Sequence, residues 1–180
     1  LPKPRQERRH VTHVVVVVRD RAGRVLMERR GDGSTWAGLW QFATVELAGS
    51  RVGTAAVRAV CAALGLEGAG VNTAMCTPAD WIKSFERTLS HRHVRFVVYE
   101  VVGAQGRLGA KAAREVLTAL PTHAAERRWV AASEVAQLPL TTPQAMIAAA
   151  MGENVGVPTG VVRKDAVGRK KPVGGRPASR

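Results

Sequence analysis

Apolar and polar positions along this chain change period several times, and each change marks an element. His10–Arg19 is dominated by β-branched valines and predicts a strand. Arg21-Ala22-Gly23 turns the chain, and Arg24–Glu28 is expected to return as its hairpin partner. A glycine-bearing loop, Arg30–Ser34, follows. Within Trp36–Leu47 the pattern alternates from Trp40 onward, which predicts another strand. After a loop at Ala48–Gly53, Val57, Val60, Cys61 and Leu64 fall on one helical face. Thr54 is the expected N-cap and Gly65 the stop. Strands are expected at Ser84–Leu89 and Val94–Val102, joined by Ser90–His93. A helix is expected over Ala110–Leu120 and a short strand at Arg127–Ala131. Ser133 is expected to cap a turn of helix with Glu134 in it, and Pro143 to open a last helix, Gln144–Met151. The sum is an α/β (α+β) domain, a mixed β-sheet flanked by helices.

The ends differ from the middle. Residues 1–9 read as a basic linker, since Pro2 and Pro4 oppose a helix. Residues 10–151 read as one domain, with 103–126 as a Gly/Ala-rich excursion carrying its own helix. Residues 152–180 read as a basic, disordered tail, in whose last part, 163–180, seven basic residues stand against Asp165. The 180 residues hold 27 Lys and Arg against 14 Asp and Glu, a net charge of +13. Such an excess, concentrated at the ends, suits a polyanionic partner. Cys61 and Cys76 are too few for a disulfide framework or a four-cysteine metal site and are expected to be buried free thiols. The apolar run Val14–Val18 is too short to cross a membrane, and no signal peptide is visible. A cytoplasmic, nucleoid-associated location is the expectation. His10, His13 and His93 show no helical metal spacing and are expected to be structural or superficial.

Thr44–Leu66 holds the first candidate for chemistry. Arg58-Ala59-Val60-Cys61-Ala62-Ala63-Leu64-Gly65-Leu66 resembles the second half of a Nudix box, G-x5-E-x7-R-E-U-x-E-E-x-G-U with U aliphatic. The arginine, both aliphatic residues and the glycine are in register. The glutamates that bind Mg²⁺ in that family are replaced by Ala59, Ala62 and Ala63. Ser50 stands at the earlier glutamate position and Thr44 at the first glycine. A hard divalent cation needs oxygen ligands, and methyl groups offer none. No metal or other cofactor is therefore expected in this chain.

Other segments narrow the resemblance. Arg24–Arg30, then Trp36-Ala37-Gly38-Leu39-Trp40-Gln41-Phe42, is similar to the start of the C-terminal, Nudix-like domain of MutY-type adenine DNA glycosylases. Ala43 stands where that family has proline, and Trp40 and Phe42 are also expected core residues. Leu89-Ser90-His91 resembles the family's Phe-Ser-His motif, with leucine for phenylalanine. Arg128-Trp129-Val130, Glu134-Val135 and Leu138-Pro139-Leu140 resemble its final elements. The resemblance covers roughly residues 8–151.

It implies a recognition domain for duplex DNA bearing 8-oxoguanine opposite adenine, with Ser90 reading the oxidised base. A hydroxyl accepts from the N7–H that only that base carries. Leu89, Ser90, His91, His93 and Arg95 are the candidate lesion and DNA contacts, with Arg92 part of the same basic run. The helical glycosylase domain and iron–sulfur cluster of that family have no counterpart in this sequence. The chain is expected to be the C-terminal part of such an enzyme or a partner to one, with residues 1–10 as connector. Two alternatives stand beside this. One is a Nudix hydrolase acting on nucleoside diphosphate derivatives, drawing on Glu46, Glu67, Asp80 or Glu86. The other is a protein-interaction module docking through residues 103–126.

Overall fold

The computed structural model describes residues 9–49, 52–69, 71, 74, 76–89, 92–101 and 107–155. Seven strands form the sheet: β1 (Arg9–Val17), β2 (Val25–Arg30), β3 (Trp40–Ala48), β4 (Cys76–Pro78), β5 (Phe85–Leu89), β6 (Arg92–Val101) and β7 (Ala124–Val130). The helices are α1 (Thr54–Ala63), α2 (Ala110–Thr118) and α3 (Thr142–Val155). The strand order is β4-β6-β1-β3-β2-β7, with β5 also on β6. β1 and β6 run parallel and the other strand pairs antiparallel, so the sheet is mixed.

The valines of β1 explain why this strand is central. Val14, Val16 and Val18 point into one layer with Val57, Val60 and Cys61 of α1 and Val116 of α2. Val15 and Val17 point into the other, with Phe42, Phe96 and Ile147 and Met151 of α3. Successive side chains of a strand face opposite ways, so an unbroken apolar run needs cover on both faces. Each fully buried side chain of this size contributes about 1.5–3 kcal/mol relative to exposure.

Several expectations shift. The hairpin of β1 and β2 exists only at its base, where Asp20 holds the turn through Arg24 and Arg19 bridges Val25. Beyond it the strands diverge and β2 pairs with β3 and β7. β3 itself changes partner: Trp40–Phe42 pair with β2, and Ala43–Ala48 with β1. Thr54 is the first residue of α1, not its cap. Gly53 is the N-cap, and no side chain caps the helix. Ser133 makes no cap either, because the short 3₁₀ turn Val135–Gln137 begins from Glu134 without a side-chain bond. α3 continues to Val155, past the expected boundary at 152. α2 is part of the core, since Ala113 and Val116 are buried and Trp129 donates Nε1–H to the Ala113 carbonyl at 2.9 Å. Strand β4 had no counterpart in the sequence reading. The linker 1–8 and tail 156–180 lie outside the described residues.

Candidate functional site

A cleft of about 650 Å³ opens where β3 changes partners, large enough for a nucleotide-sized ligand. Its floor is His13 of β1, Thr44 and Glu46 of β3, and Arg92 and Val94 of β6. Register dictates this set. His13 pairs with Glu46 across β1–β3, and both leave the same face of the sheet. Alternation on β6 sends Arg92 and Val94 to one face, and His93 and Arg95 to the other.

The loop 31–39 forms one wall. It is closed by backbone bonds from Gly38 N–H to the Arg30 carbonyl and from Gly31 N–H to the His123 carbonyl, both 3.0 Å. Trp36 is carried here with φ 66°, the only non-glycine positive φ among the described residues. A bulky side chain in that region is strained, and such strain clusters at binding sites. The Arg30 guanidinium stands 5.9 Å from the Trp36 ring centroid and donates to Gln41 Oε1 at 3.0 Å. Burial lowers the Arg30 pKa, with Glu28 and Glu46 opposing.

His13 ties floor to wall. Its Nε2 lies 3.3 Å from Glu46 Oε2, and its ring meets Phe96 and Trp36 edge-on at 5.0 and 6.2 Å. Burial pushes its pKa below 6.5, more strongly than Glu46 raises it. At neutral pH the imidazole is therefore uncharged and can donate Nε2–H to the carboxylate. Arg92 Nη1 reaches both oxygens of Glu46, at 3.2 and 3.1 Å. The arrangement presents an aromatic face, two guanidinium groups and one anchored carboxylate: a surface for a flat polar ring bearing an anionic group.

Behind the cleft lies a buried ionic cluster that sequence reading missed. Glu28 and Arg127 are both fully buried and bonded through Arg127 Nε and Nη2 to Glu28 Oε1, at 2.9 and 2.6 Å. Arg127 also donates to the carbonyls of Leu64, Val116 and Ala119, joining the ends of α1 and α2 to β2. His123, which lines the cleft, bonds the other Glu28 oxygen at 3.1 Å. The two strands are adjacent only through β-pairing across 99 residues, so no local spacing signals the pair.

Of the residues singled out beforehand, Leu89 lines the cleft, as does Arg92. His93 stacks on His10 at 5.0 Å and contacts Thr88 Oγ1, and Arg95 donates to Ser84; neither lines the cleft. Ser90, His91 and Ser50 lie outside the described residues. Arg58, Ala59, Ala62 and Ala63 are exposed on α1, and no residue of α1 lines the cleft. Gly65 ends α1 with φ 68°, its N–H on the Ala62 carbonyl and that of Leu66 on Cys61, a Schellman stop. Glu67, Asp80 and Glu86 are exposed and away from the cleft; Glu46 alone of the four candidate carboxylates lines it. Among the described residues no group of three or more His, Cys, Asp or Glu side chains could hold a metal ion. The donor set of α1 does not fit Mg²⁺ either, because its box positions end in methyl groups. Cys61 and Cys76 are buried and share a hydrogen bond, their sulfurs 3.2 Å apart, with no disulfide between them. Among the described residues no helix is long and apolar enough to cross a membrane.

No curated protein matches the chain. The structure resembles that of the MutT protein from Methanosarcina mazei Go1, with 17% identity, 84% of this chain and 99% of that one covered, and a TM-score of 0.58. It also resembles the NUDIX domain of Shewanella oneidensis NrtR complexed with ADP ribose, at 12% identity, 86% and 93% coverage and a TM-score of 0.54. The C-terminal domain of mouse MUTYH, in complex with human PCNA, aligns at 17% identity over 81% and 89% of the chains. Its TM-score of 0.48 bears on neither fold nor function. The sequence profile of the NUDIX domain matches residues 14–150. That span holds all but the start of β1 and the end of α3, and every cleft-lining residue except His13: the chain belongs to the NUDIX domain family, and its fold is the Nudix fold.

Proposed function

We propose that this Nudix domain binds a nucleobase and its phosphate in the cleft without hydrolysing a diphosphate. The observation that carries this is the cleft itself. Trp36, with the Arg30 guanidinium over its ring, lines the cleft together with Arg92, while the family's metal-binding positions on α1 are exposed methyl groups. Stacking of a base on an aromatic ring contributes about 1–3 kcal/mol and is tolerant of base identity. The NrtR domain, complexed with ADP ribose, supports the view that this fold accommodates such a ligand.

The ligand favoured by sequence resemblance is 8-oxoguanine opposite adenine in duplex DNA. Leu89 and Arg92, which flank Ser90 and His91 in the sequence, both line the cleft. A base entering the cleft must leave the stack, and a mispaired base does so at the lowest cost. Fluorescence anisotropy with duplexes containing 8-oxoguanine·adenine, guanine·adenine or guanine·cytosine tests this. The oxidised mispair is expected to bind most tightly, and Trp36→Ala to weaken binding about tenfold. Equal affinity for all three duplexes would refute lesion recognition.

A Nudix hydrolase is the second reading. Family membership and the likeness to the MutT protein support it more directly than they support the DNA role. Glu46 is the carboxylate such a reaction would have available in the cleft. Release of phosphate from oxidised or ordinary nucleoside diphosphate derivatives, dependent on Mg²⁺ and lost in Glu46→Gln, would establish it.

A further inference from the structure

We infer that Glu46 selects guanine-type bases, its carboxylate accepting from the adjacent ring N–H and exocyclic amino group of the base. This rests on the cleft being a nucleotide site. Glu46 is the only carboxylate among the described residues lining it. Arg92 and the neutral His13 fix both oxygens, so the group is oriented before a ligand arrives. The Glu46 side chain nevertheless stays 46% exposed, and Oε1, bonded only to Arg92 among the described residues, keeps acceptor capacity for a ligand in the cleft. The Trp36 ring stands edge-on to His13, so base stacking and edge recognition converge on one place.

A carboxylate only accepts hydrogen bonds. It therefore favours a ring edge with neighbouring donors and disfavours one with an acceptor. Guanine has the N1–H and the N2 amino group side by side. Adenine and cytosine each set an amino donor beside a ring acceptor, and thymine sets its one N–H between two carbonyls. Oxidation at C8 leaves the N1/N2 edge of guanine unchanged. Glu46 thus selects guanine over other bases without separating oxidised from ordinary guanine. It is a specificity-determining residue, not a catalytic one.

Calorimetric titration with mononucleotides tests this apart from the DNA question. The wild-type chain is expected to bind guanosine monophosphate about tenfold more tightly than inosine monophosphate, which lacks the amino group. Adenosine monophosphate should be weaker still. In Glu46→Gln the guanine preference should shrink to about threefold or less, with the melting temperature retained. Trp36→Ala should weaken all three nucleotides alike. A guanine preference that persists in Glu46→Gln, or equal binding of the three by the wild type, overturns the assignment to Glu46 and leaves the nucleotide site standing. The wild-type comparison needs no variant to fold. Binding of none of the three overturns both.

Discussion

Glu28 and Arg127 bury opposite charges at full depth, and their hydrogen bonds make that tolerable. Removing one partner strands the other without water. Arg127→Met is therefore expected to lower stability by about 3–5 kcal/mol, read from urea unfolding. A double replacement by apolar residues of similar size should recover much of that loss. His13 gives a pH dependence whose sign follows from burial. Its native pKa lies below 6.5, so the unfolded chain takes the proton first. This contribution to stability is unchanged above about pH 6.5 and lost progressively as pH falls toward the native value. His13→Gln should remove that part of the acid destabilisation, measured as unfolding free energy against pH. Trp36 sets stability against binding. Trp36→Gly should relieve about 1 kcal/mol of backbone strain while weakening nucleotide binding. Loss of both together would indicate a purely structural tryptophan.

Among the elements, α1 was the most legible, because its apolar face repeats at helical spacing and Gly65 supplies the left-handed stop. A Cβ at Gly65 would lie 2.8 Å from both Cβ and carbonyl oxygen of Ala119, at φ 68°. Gly65→Ala should thus cost more than about 1 kcal/mol in thermal or urea unfolding. The box positions behave oppositely. Glutamates placed at Ala59, Ala62 and Ala63 enter solvent, and each should alter stability by less than about 0.5 kcal/mol. The pairing of β2 was not legible. Its valine, leucine and methionine fit a strand, but periodicity says nothing of partners, and the turn at Asp20–Arg24 mimics a full hairpin. β4 was missed because three residues are too few to show alternation. At the site, Leu89 followed from a motif, whereas His13, Trp36, Glu46 and Arg92 meet only through cross-strand register and a folded loop.

Taken whole, the molecule couples a cleft with two arginines to a chain of net charge +13. Binding of any duplex should weaken steeply with salt, since each neutralised phosphate releases counterions. The preference among bases, set in the cleft, should change far less, and anisotropy titrations at several salt concentrations separate the two. The cleft should bind a nucleotide and leave its diphosphate intact. The most direct check is one NMR titration of the ¹⁵N-labelled chain with 8-oxo-deoxyguanosine diphosphate in the presence of Mg²⁺. Amide shifts are expected at His13, Trp36, Glu46 and Arg92, with phosphorus signals of the diphosphate that persist. Shifts that avoid these residues, or the appearance of free phosphate, would contradict this.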